Sequence, residues 1–357
     1  MQYKVTITES LKRDIFIDAV SANEAKIIAC NRYNICDVVL DWNDFCQVDF
    51  SAIVKDENRL QIHSKPLTPF YRSPNSDFTL LHGDCFKLLR EFEFKFSCIF
   101  ADPPYFLSNG GISVQSGKVV CVDKGEWDKG KSQEEMMQFN MEWLSLCREK
   151  LKDNGTIWIS GTYHNIFSVA NCLTELGYKI LNVVTWAKTN PPPNISCRYF
   201  TYSTEFIIWA RKSEKKPHYF NYDLMKQING DKQMTDVWHL PAIARWEKSC
   251  GKHPTQKPLA LLSRIIMAST KPGEWVLDPF CGSSTTGIAA NLLGRRYLGI
   301  DQEEKFVEIS KQRRLELDSI HLFQKYRSKI KDIQSLDSIT PLMVKEDSNV
   351  IYGDLPF

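Results

Sequence analysis

The chain of 357 residues is 43% hydrophobic and carries a formal net charge of +2. Its length exceeds one typical domain, so we expect a main domain with appendages. No apolar run reaches the length of a membrane span, and the eleven cysteines include no C-x-x-C pair. These features argue against a membrane protein and against a zinc site, and they are typical of a reducing cytosol.

The first 60 residues are predicted to form a small α+β domain. Apolar patterning predicts a helix over residues 21–33 and strands over residues 3–7, 14–20, 38–40 and 47–53. Ser21 and Glu24 form the capping box of that helix. Seven basic residues against ten acidic ones make this domain acidic, which argues against a DNA clamp. A docking or regulatory role and a purely structural role both stay open. Residues 61–77 contain three prolines and are predicted to be a linker.

The main domain, residues 78–317, is predicted to open with a strand that ends near Asp84. This acid either faces a site at the carboxyl end of the strand or caps a helix over residues 85–92. The sequence leaves both interpretations open.

The motif around which the chain is organised is Asp102-Pro103-Pro104-Tyr105, which follows a buried apolar strand. Open α/β sheets build their sites at the carboxyl ends of such strands. A carboxylate and a backbone carbonyl, whose direction the prolines fix, can accept both hydrogens of an exocyclic amine on an aromatic base. The lone pair of that amine then points toward a methyl donor, while the tyrosine stacks on a base that has left the duplex. The alternative is a plain turn that stops the strand.

The segment between this motif and the next site motif alternates helices and strands. Residues 106–131 are predicted to be a long functional loop, a lid over the flipped base. We predict helices over residues 132–151 and 165–176, and strands over 156–159, 179–186 and 204–210. The last two strands are close enough in sequence to form a β-hairpin at a reversed sheet edge.

Basic and aromatic residues interleave over residues 211–251, which we predict to be the target-recognition segment. Residues 211–257 carry ten Lys or Arg against five Asp or Glu, a balance that suits a phosphate-facing surface. The predicted DNA contacts are Asn190, Asn194, Arg198, Arg211, Lys212, Arg245 and Lys252. Among them the two asparagines and Arg198 are of the types that read base edges.

A second site motif follows a helix predicted over residues 259–269. Gly282, Ser284 and Gly287 have the G-x-G-x-x-G spacing of a nucleotide-binding turn, with serine at the second glycine. Asp301 ends a further predicted strand at the distance where an acid binds ribose hydroxyls. A charged helix is predicted over 303–317, and no role is predicted for residues 318–357.

The order of these motifs, with His253-Pro254-Thr255-Gln256-Lys257-Pro258 between them, resembles the β-class DNA amino-methyltransferases over residues 78–315. The resemblance implies an α/β, Rossmann-like sheet that is circularly permuted, and S-adenosylmethionine (AdoMet) as cofactor without a metal. The implied catalytic residues are Asp102, Pro103, Pro104 and Tyr105. The implied cofactor-binding residues are Asp84, Lys257, Asp278, Pro279, Phe280, Gly282, Ser284, Thr285 and Asp301. Serine at 284 departs from the family pattern, but it is small enough for cofactor binding to survive.

Residues 106–129 and 189–200 resemble the DpnA-type enzymes, which methylate the adenine of GATC. Residues 1–60 resemble the small DpnD-type domain found beside such enzymes. The resemblance implies adenine-N6 methylation of DNA in a restriction-modification system of the bacterial cytoplasm. No membrane partner is expected, and a homodimer is left open.

Three other functions compete with this interpretation. N4-cytosine methylation uses the same geometry, although many such enzymes carry serine at the position of Asp102. Protein glutamine methyltransferases use an Asn-Pro-Pro-Tyr site and have the glycine turn first, so both the residue and the order disagree. A DNA-binding regulator on a decayed scaffold would lack AdoMet binding.

Overall fold

The computed structural model describes residues 2–11, 28, 45–55, 67–106, 112–115, 118–121, 132–191, 193–194, 197–251, 253–343, 355 and 357. The chain divides into two compact units, Met1–Lys65 and Pro66–Phe357. Within the described residues, no helix is long and apolar enough to cross a membrane.

The first unit contains two long antiparallel strands, β1 (Gln2–Leu11) and β2 (Phe45–Lys55). Both coincide with predicted strands. The other elements predicted there, over 14–20, 21–33 and 38–40, lie outside the described residues, apart from residue 28, which is helical.

The described part of the second unit is built on a nine-stranded sheet. Its strands are β3 (Tyr71–Arg72), β4 (Phe78–His82), β5 (Phe96–Ala101), β8 (Leu151–Gly161), β9 (Lys179–Lys188), β10 (Thr204–Arg211), β11 (Val237–Leu240), β12 (Trp275–Asp278) and β13 (Arg296–Asp301). The spatial order is β11-β9-β10-β8-β5-β12-β13-β4-β3. A separate hairpin consists of β6 (Ile112–Gln115) and β7 (Lys118–Cys121).

Helices accompany the sheet along the chain. They are α1 (Cys85–Arg90), α2 (Gln133–Lys150), α3 (Ile166–Glu175), α4 (Tyr222–Ile228), α5 (Leu259–Ser269), α6 (Thr285–Leu292), α7 (Glu304–Glu316), α8 (Ile320–Arg327) and α9 (Lys331–Met343). A capping box opens α2, because Ser132 and Glu135 exchange side chain-to-backbone hydrogen bonds.

Two apolar cores cover the two faces of the sheet. In β5, Cys98 and Phe100 belong to one core, whereas Ile99 and Ala101 belong to the other. This division follows from the two-residue period of a strand buried on both faces. The predicted α/β, Rossmann-like fold is therefore confirmed.

The strand pairing explains how distant segments form one site. β12 lies parallel to both β5 and β13, so the carboxyl ends of these strands meet at one edge of the sheet. β5, which leads into the Asp-Pro-Pro-Tyr motif, precedes β12, which leads into the glycine turn, and this order is the predicted circular permutation. β10 is antiparallel to both β8 and β9, so the predicted β9–β10 hairpin is also present.

Residues 67–77, the described part of the linker predicted over 61–77, belong to the second unit. β3 pairs with β4, and the Ser73 hydroxyl accepts hydrogen bonds from the backbone N–H groups of Asp77 and Phe78. Arg314 lies 3.1 Å from Asp77. The polar residues that suggested a linker thus form the turn of a short hairpin within the second unit.

Two further segments contain elements that the sequence did not predict. The loop predicted over 106–131 contains the β6–β7 hairpin. The region after residue 317 begins with α8 and α9, and Arg264 of α5 holds Asp332 of α9 through two hydrogen bonds of 2.7 and 3.1 Å. α8 and α9 bury Tyr326 and Ile333 in the core, and Tyr326 packs on Trp246. These apolar residues stand among charged ones, so the sequence pattern did not reveal the helices.

Candidate active site

A cavity of about 280 Å³ opens at the carboxyl ends of β4, β5, β12 and β13. Its lining contains Gly83, Asp84, Asp102, Pro103, Pro104, Tyr105, Phe106, Phe139, His253, Thr255, Lys257, Asp278, Pro279, Phe280, Gly282, Thr285, Thr286, Asp301, Glu303 and Phe306. The Asp-Pro-Pro-Tyr motif and the glycine turn therefore face the same space.

Asp102 stands at the mouth of β5 with both carboxylate oxygens engaged. Oδ1 accepts a hydrogen bond of 2.7 Å from the Tyr105 hydroxyl, and Oδ2 lies 2.5 Å from Lys257 Nζ. Each carboxylate oxygen has two lone-pair sites, so Asp102 can accept one more N–H from a substrate while both contacts persist. The two contacts fix the direction in which that acceptor points.

Tyr105 is only 7% exposed, and its hydroxyl lies 3.3 Å from Ser160 Oγ of β8. Burial, together with the negative charges of Asp102 and Glu205, raises the pKa of Tyr105 well above its usual value. The hydroxyl therefore stays protonated and donates to Asp102. Tyr105 is thus a support for the carboxylate as well as part of the cavity wall.

Lys257 lies between two acids rather than beside the glycine turn. Its Nζ is 2.5 Å from Asp102 and 3.8 Å from Glu205, whose other oxygen is 2.5 Å from Lys188. Burial alone lowers the pKa of Lys257, but the carboxylates of Asp102 and Glu205 outweigh it, so the net pKa is raised. Lys257 also lines the cavity, so its cofactor role stays a prediction, while its charge is paired with Asp102.

Sequence reasoning missed Glu205 and Lys188. Lys188 ends β9 and Glu205 is the second residue of β10, and these strands pair in antiparallel register. The predicted hairpin already implied that the two residues lie close together, because one charged residue stands at each end of the loop that joins β9 and β10. Both side chains are largely buried, with 15% of Glu205 and 18% of Lys188 exposed.

Two buried carboxylates hold the glycine turn. Asp278 accepts hydrogen bonds from the Thr286 hydroxyl and the Phe280 N–H, and burial raises its pKa to about 7. Asp301 accepts from the N–H groups of Glu303 and Gly282, and burial raises its pKa to about 6. Both line the cavity and still have acceptor sites to offer a ligand.

Two residues of the glycine turn have left-handed backbone angles, and the first has no room for a side chain. Gly282 has φ +50°, and a Cβ there would lie 2.9 Å from Nε2 of His253. Ser284 also has a left-handed φ of 52°, and its Oγ accepts a hydrogen bond from the buried Tyr297 hydroxyl. Ser284 is fully buried and is absent from the cavity wall. The structure therefore gives this side chain a place in the turn and does not support its predicted contact with the cofactor.

Asp84 satisfies both interpretations that the sequence left open. Its carboxylate accepts a 2.8 Å hydrogen bond from the Phe86 N–H and caps α1. It also lines the cavity.

The predicted DNA contacts separate into two groups. The first group follows β9 and β11, which are parallel and end on the side of the sheet where the cavity opens, called the catalytic edge below. This group contains Asn190, Asn194, Arg198 and Arg245. Arg198 and Arg245 are exposed. Asn190 accepts a 2.8 Å hydrogen bond from the Ala242 N–H, and Asn194 donates one to the Tyr199 carbonyl. Their amides therefore first shape the loops. Lys252 lies outside the described residues.

Arg211 and Lys212 lie at the end of the sheet away from the cavity, so their predicted DNA contact is not supported by their position. β10 runs opposite to β8, so Arg211 pairs with Thr156 near the start of β8 while Phe206 pairs with Gly161 at its end. Five strand positions separate them from the catalytic edge, about 17 Å. Lys212 donates to the Leu151 carbonyl and faces Asp153 at 3.6 Å. The basic segment was predicted to form one surface. Because β10 is antiparallel to β8, the first residues of the segment, Arg211 and Lys212, lie at the opposite end of the strands from the cavity.

The lining of the cavity suits AdoMet, which carries positive charge on its sulfonium and amino groups. The walls present five carboxylates, those of Asp84, Asp102, Asp278, Asp301 and Glu303, against Lys257 and His253. Phe280, Phe139 and Phe306 supply flat apolar surface for an adenine ring. Asp301 and Asp84 are placed to hold hydroxyl or amino groups. In the described residues no group of three or more His, Cys, Asp or Glu side chains is arranged to hold a metal ion.

A Rossmann-like sheet, permuted as observed, with an acidic nucleotide cavity facing an Asp-Pro-Pro-Tyr motif, defines an AdoMet-dependent amino-methyltransferase. The comparisons agree: the DNA methylase family matches residues 96–312, and the DpnD/PcfM-like protein family matches residues 3–48. The chain belongs to the DNA methylase family and is an AdoMet-dependent DNA methyltransferase.

Curated relatives cover most of the chain. Type II methyltransferase M2.MboI of Moraxella bovis is 54% identical over 266 residues, which are 74% of this chain and 97% of that protein. Type II methyltransferase M2.DpnII of Streptococcus pneumoniae is 57% identical over 247 residues, 69% of this chain and 91% of that protein. The predicted family is therefore confirmed for both the main domain and the N-terminal segment.

Solved structures share the fold. The M1.HpyAVI–SAM complex is 29% identical with a TM-score of 0.52, and the match covers 66% of this chain and 98% of that one. The PvuII DNA methyltransferase (cytosine-N4-specific) is 20% identical with a TM-score of 0.55, over 70% of this chain and 89% of that one. The second likeness shows the fold alone.

Proposed function

We propose that this enzyme methylates N6 of adenine within GATC after the adenine flips out of the DNA. The observation that carries the proposal is the arrangement around Asp102, a carboxylate held by Tyr105 and Lys257 at the mouth of the AdoMet-type cavity. The sequence similarity of residues 106–129 and 189–200 to DpnA-type enzymes supports adenine and GATC as the target.

The reaction needs a poor nucleophile to be activated. An exocyclic amine delocalises its lone pair into the ring, and Asp102 accepting one N–H with the Pro103 or Pro104 carbonyl accepting the other localises it. AdoMet, when bound, supplies an electrophilic methyl group. The ammonium of Lys257 compensates the charge of Asp102, and the Tyr105 hydroxyl keeps the carboxylate in place. The Tyr105 ring is offered as the stacking face for the flipped base.

The cofactor site is assigned to the turn between β12 and α6 together with the end of β13. Asp301 binds the ribose hydroxyls, Asp84 lies toward the adenine, and Pro279, Phe280, Gly282 and Thr285 form the wall. Asp278 holds the turn through Thr286 and Phe280. On the DNA side, Arg198 and Arg245 are assigned to phosphate or base contacts, with Asn190 and Asn194 shaping their loops. The 106–131 segment, including β6 and β7, is the proposed lid.

The test is incubation with AdoMet and unmethylated plasmid, followed by nucleoside mass spectrometry and digestion. We expect N6-methyladenine, and protection from a nuclease that requires unmethylated GATC. N4-methylcytosine as the product would overturn the adenine assignment. Methylated adenine with GATC still cut would overturn the site assignment and leave the reaction standing.

We further propose that the enzyme acts in the bacterial cytoplasm beside a cognate restriction enzyme, because the curated relatives are type II methyltransferases of bacteria. A homodimer stays a hypothesis from the sequence. Sedimentation with and without a GATC duplex tests it. The N-terminal unit is proposed to be a docking or regulatory domain separate from DNA binding, which deletion of residues 1–65 would test through unchanged DNA affinity.

A further inference from the structure

Four aromatic residues form an exposed group, which we call the aromatic cluster: Tyr163, Tyr199, Phe200 and Tyr202. Phe200 is 96% exposed, and the three tyrosines are between 45% and 58% exposed. The Tyr163 and Tyr202 rings stack at 5.3 Å with an angle of 16°, and Tyr199 lies 5.5 Å from Tyr202. A contiguous exposed apolar group of this kind marks an interaction site.

The aromatic cluster lies on the catalytic edge. Tyr163 comes two residues after β8, which carries Ser160 to within 3.3 Å of the Tyr105 hydroxyl. Phe200 comes five residues before Glu205, which is 3.8 Å from Lys257. A five-residue chain spans at most about 18 Å. Phe200 is thus close enough to reach DNA whose target base occupies the cavity.

We propose that Phe200 enters the DNA beside the target base and stacks on the base pair that loses its neighbour when the adenine flips. This inference rests on the proposed function and adds the group that offsets its unstacking cost. Flipping removes one stacking partner from the adjacent pair, and an aromatic side chain can replace that partner whatever the sequence. Phe200 is next to Tyr199 in the chain, and Tyr199 packs on the Tyr163–Tyr202 stack.

DNA is the occupant that the surroundings favour. Arg198, an exposed cation suited to a phosphate, lies two residues from Phe200. The segment also connects β9 and β10, whose ends hold the Lys188–Glu205–Lys257 chain that leads to Asp102. A second copy of this chain is the competing occupant.

The test compares two substrates. One is a duplex with the target adenine paired. The other carries an abasic site opposite the same adenine, so that flipping breaks no base pair and costs less, which leaves less for a stacking side chain to offset. We expect Phe200→Ala to lower kcat/KM about tenfold or more on the paired duplex and much less on the abasic one. Phe200→Trp should restore activity on the paired duplex. Equal loss on both substrates, or no loss on either, would overturn the proposal.

Two controls separate the causes. Phe220→Ala removes a half-exposed aromatic near Trp209, toward the opposite sheet edge, and should leave both substrates unaffected. Asp102→Asn should abolish methylation of both substrates, so failure of the proposed function is visible in this variant and in the wild type. A change in sedimentation coefficient with Phe200→Ala in the absence of DNA would show that a second copy occupies the aromatic cluster, and would overturn the proposal.

Discussion

The Lys257–Asp102 pair should be strongly coupled in the free energy of unfolding. The two groups lie 2.5 Å apart with side chains only 7% and 14% exposed. Removing one partner from such a pair leaves a buried charge without compensation and costs about 3–5 kcal/mol. We therefore expect Lys257→Met and Asp102→Asn each to cost about that much, and the double variant to cost far less than their sum.

The sign of the pH dependence follows from Lys257. Its pKa is raised in the folded protein, so its stabilising contribution is complete at neutral pH and is lost only as pH rises through that raised value. Urea unfolding at neutral pH, without AdoMet or DNA, is therefore the suitable assay.

An exposed ion pair provides the matched control. Arg90 and Glu142 lie 2.7 Å apart with side chains 51% and 48% exposed, and their coupling should be only about 0.2–1 kcal/mol. Coupling of the Lys257–Asp102 pair no larger than that of this control would refute the argument that burial makes the pair strong.

Three further predictions concern ligands. AdoMet should bind more tightly as pH rises from about 5 to about 8, because Asp301 and Asp278 ionise with pKa values of about 6 and about 7 and then attract a cationic ligand. In calorimetry, Asp301→Asn should bind AdoMet more weakly and with a smaller dependence on pH. An unchanged dissociation constant would contradict the assignment of Asp301 to the ribose hydroxyls. Gly282→Ala should lower the free energy of unfolding by about 1 kcal/mol and should also weaken AdoMet binding. Gly294 has φ +72°, and a Cβ there would meet no atom within 4 Å, so Gly294→Ala should lose stability alone. Equal AdoMet binding by the two variants would show that the glycine turn does not shape the cavity. Arg198→Ala and Arg245→Ala should weaken binding to a GATC duplex and lower its salt dependence, whereas Arg211→Ala should not. The reverse pattern in fluorescence anisotropy would show that DNA binds at the end of the sheet that carries Arg211.

The sequence predicted the cavity well because its parts are local. Asp102, the prolines, the glycine turn and Asp301 each follow a buried strand, and parallel strands bring their carboxyl ends to one edge. The eight predicted cofactor residues other than Ser284 all line the cavity. Ser284 could not be distinguished by spacing, since only the fold shows that Tyr297 occupies its side chain.

Relations that depend on strand direction or on distant charges were not predictable in the same way. Arg211 and Lys212 appeared continuous with Arg245 in sequence, yet antiparallel β10 carries them to the other edge. Lys257 belongs to a family motif near the glycine turn, but its partner Asp102 is 155 residues away along the chain. The helices after residue 317 bury apolar residues such as Tyr326 and Ile333 in the core. Those residues stand among charged ones, and the ion pair Arg264–Asp332 joins positions 68 residues apart.

The most direct test of the central claim is single-turnover methyl transfer by Asp102→Asn, measured together with its affinities for AdoMet and for a GATC duplex. Asparagine keeps the size of the side chain but loses one acceptor oxygen and the charge. The account predicts that the methyl-transfer rate falls by about 10²-fold or more while both dissociation constants stay close to those of the wild type. A comparable loss of AdoMet affinity, or a rate near that of the wild type, would contradict the assignment of Asp102 as the acceptor that activates the target amine.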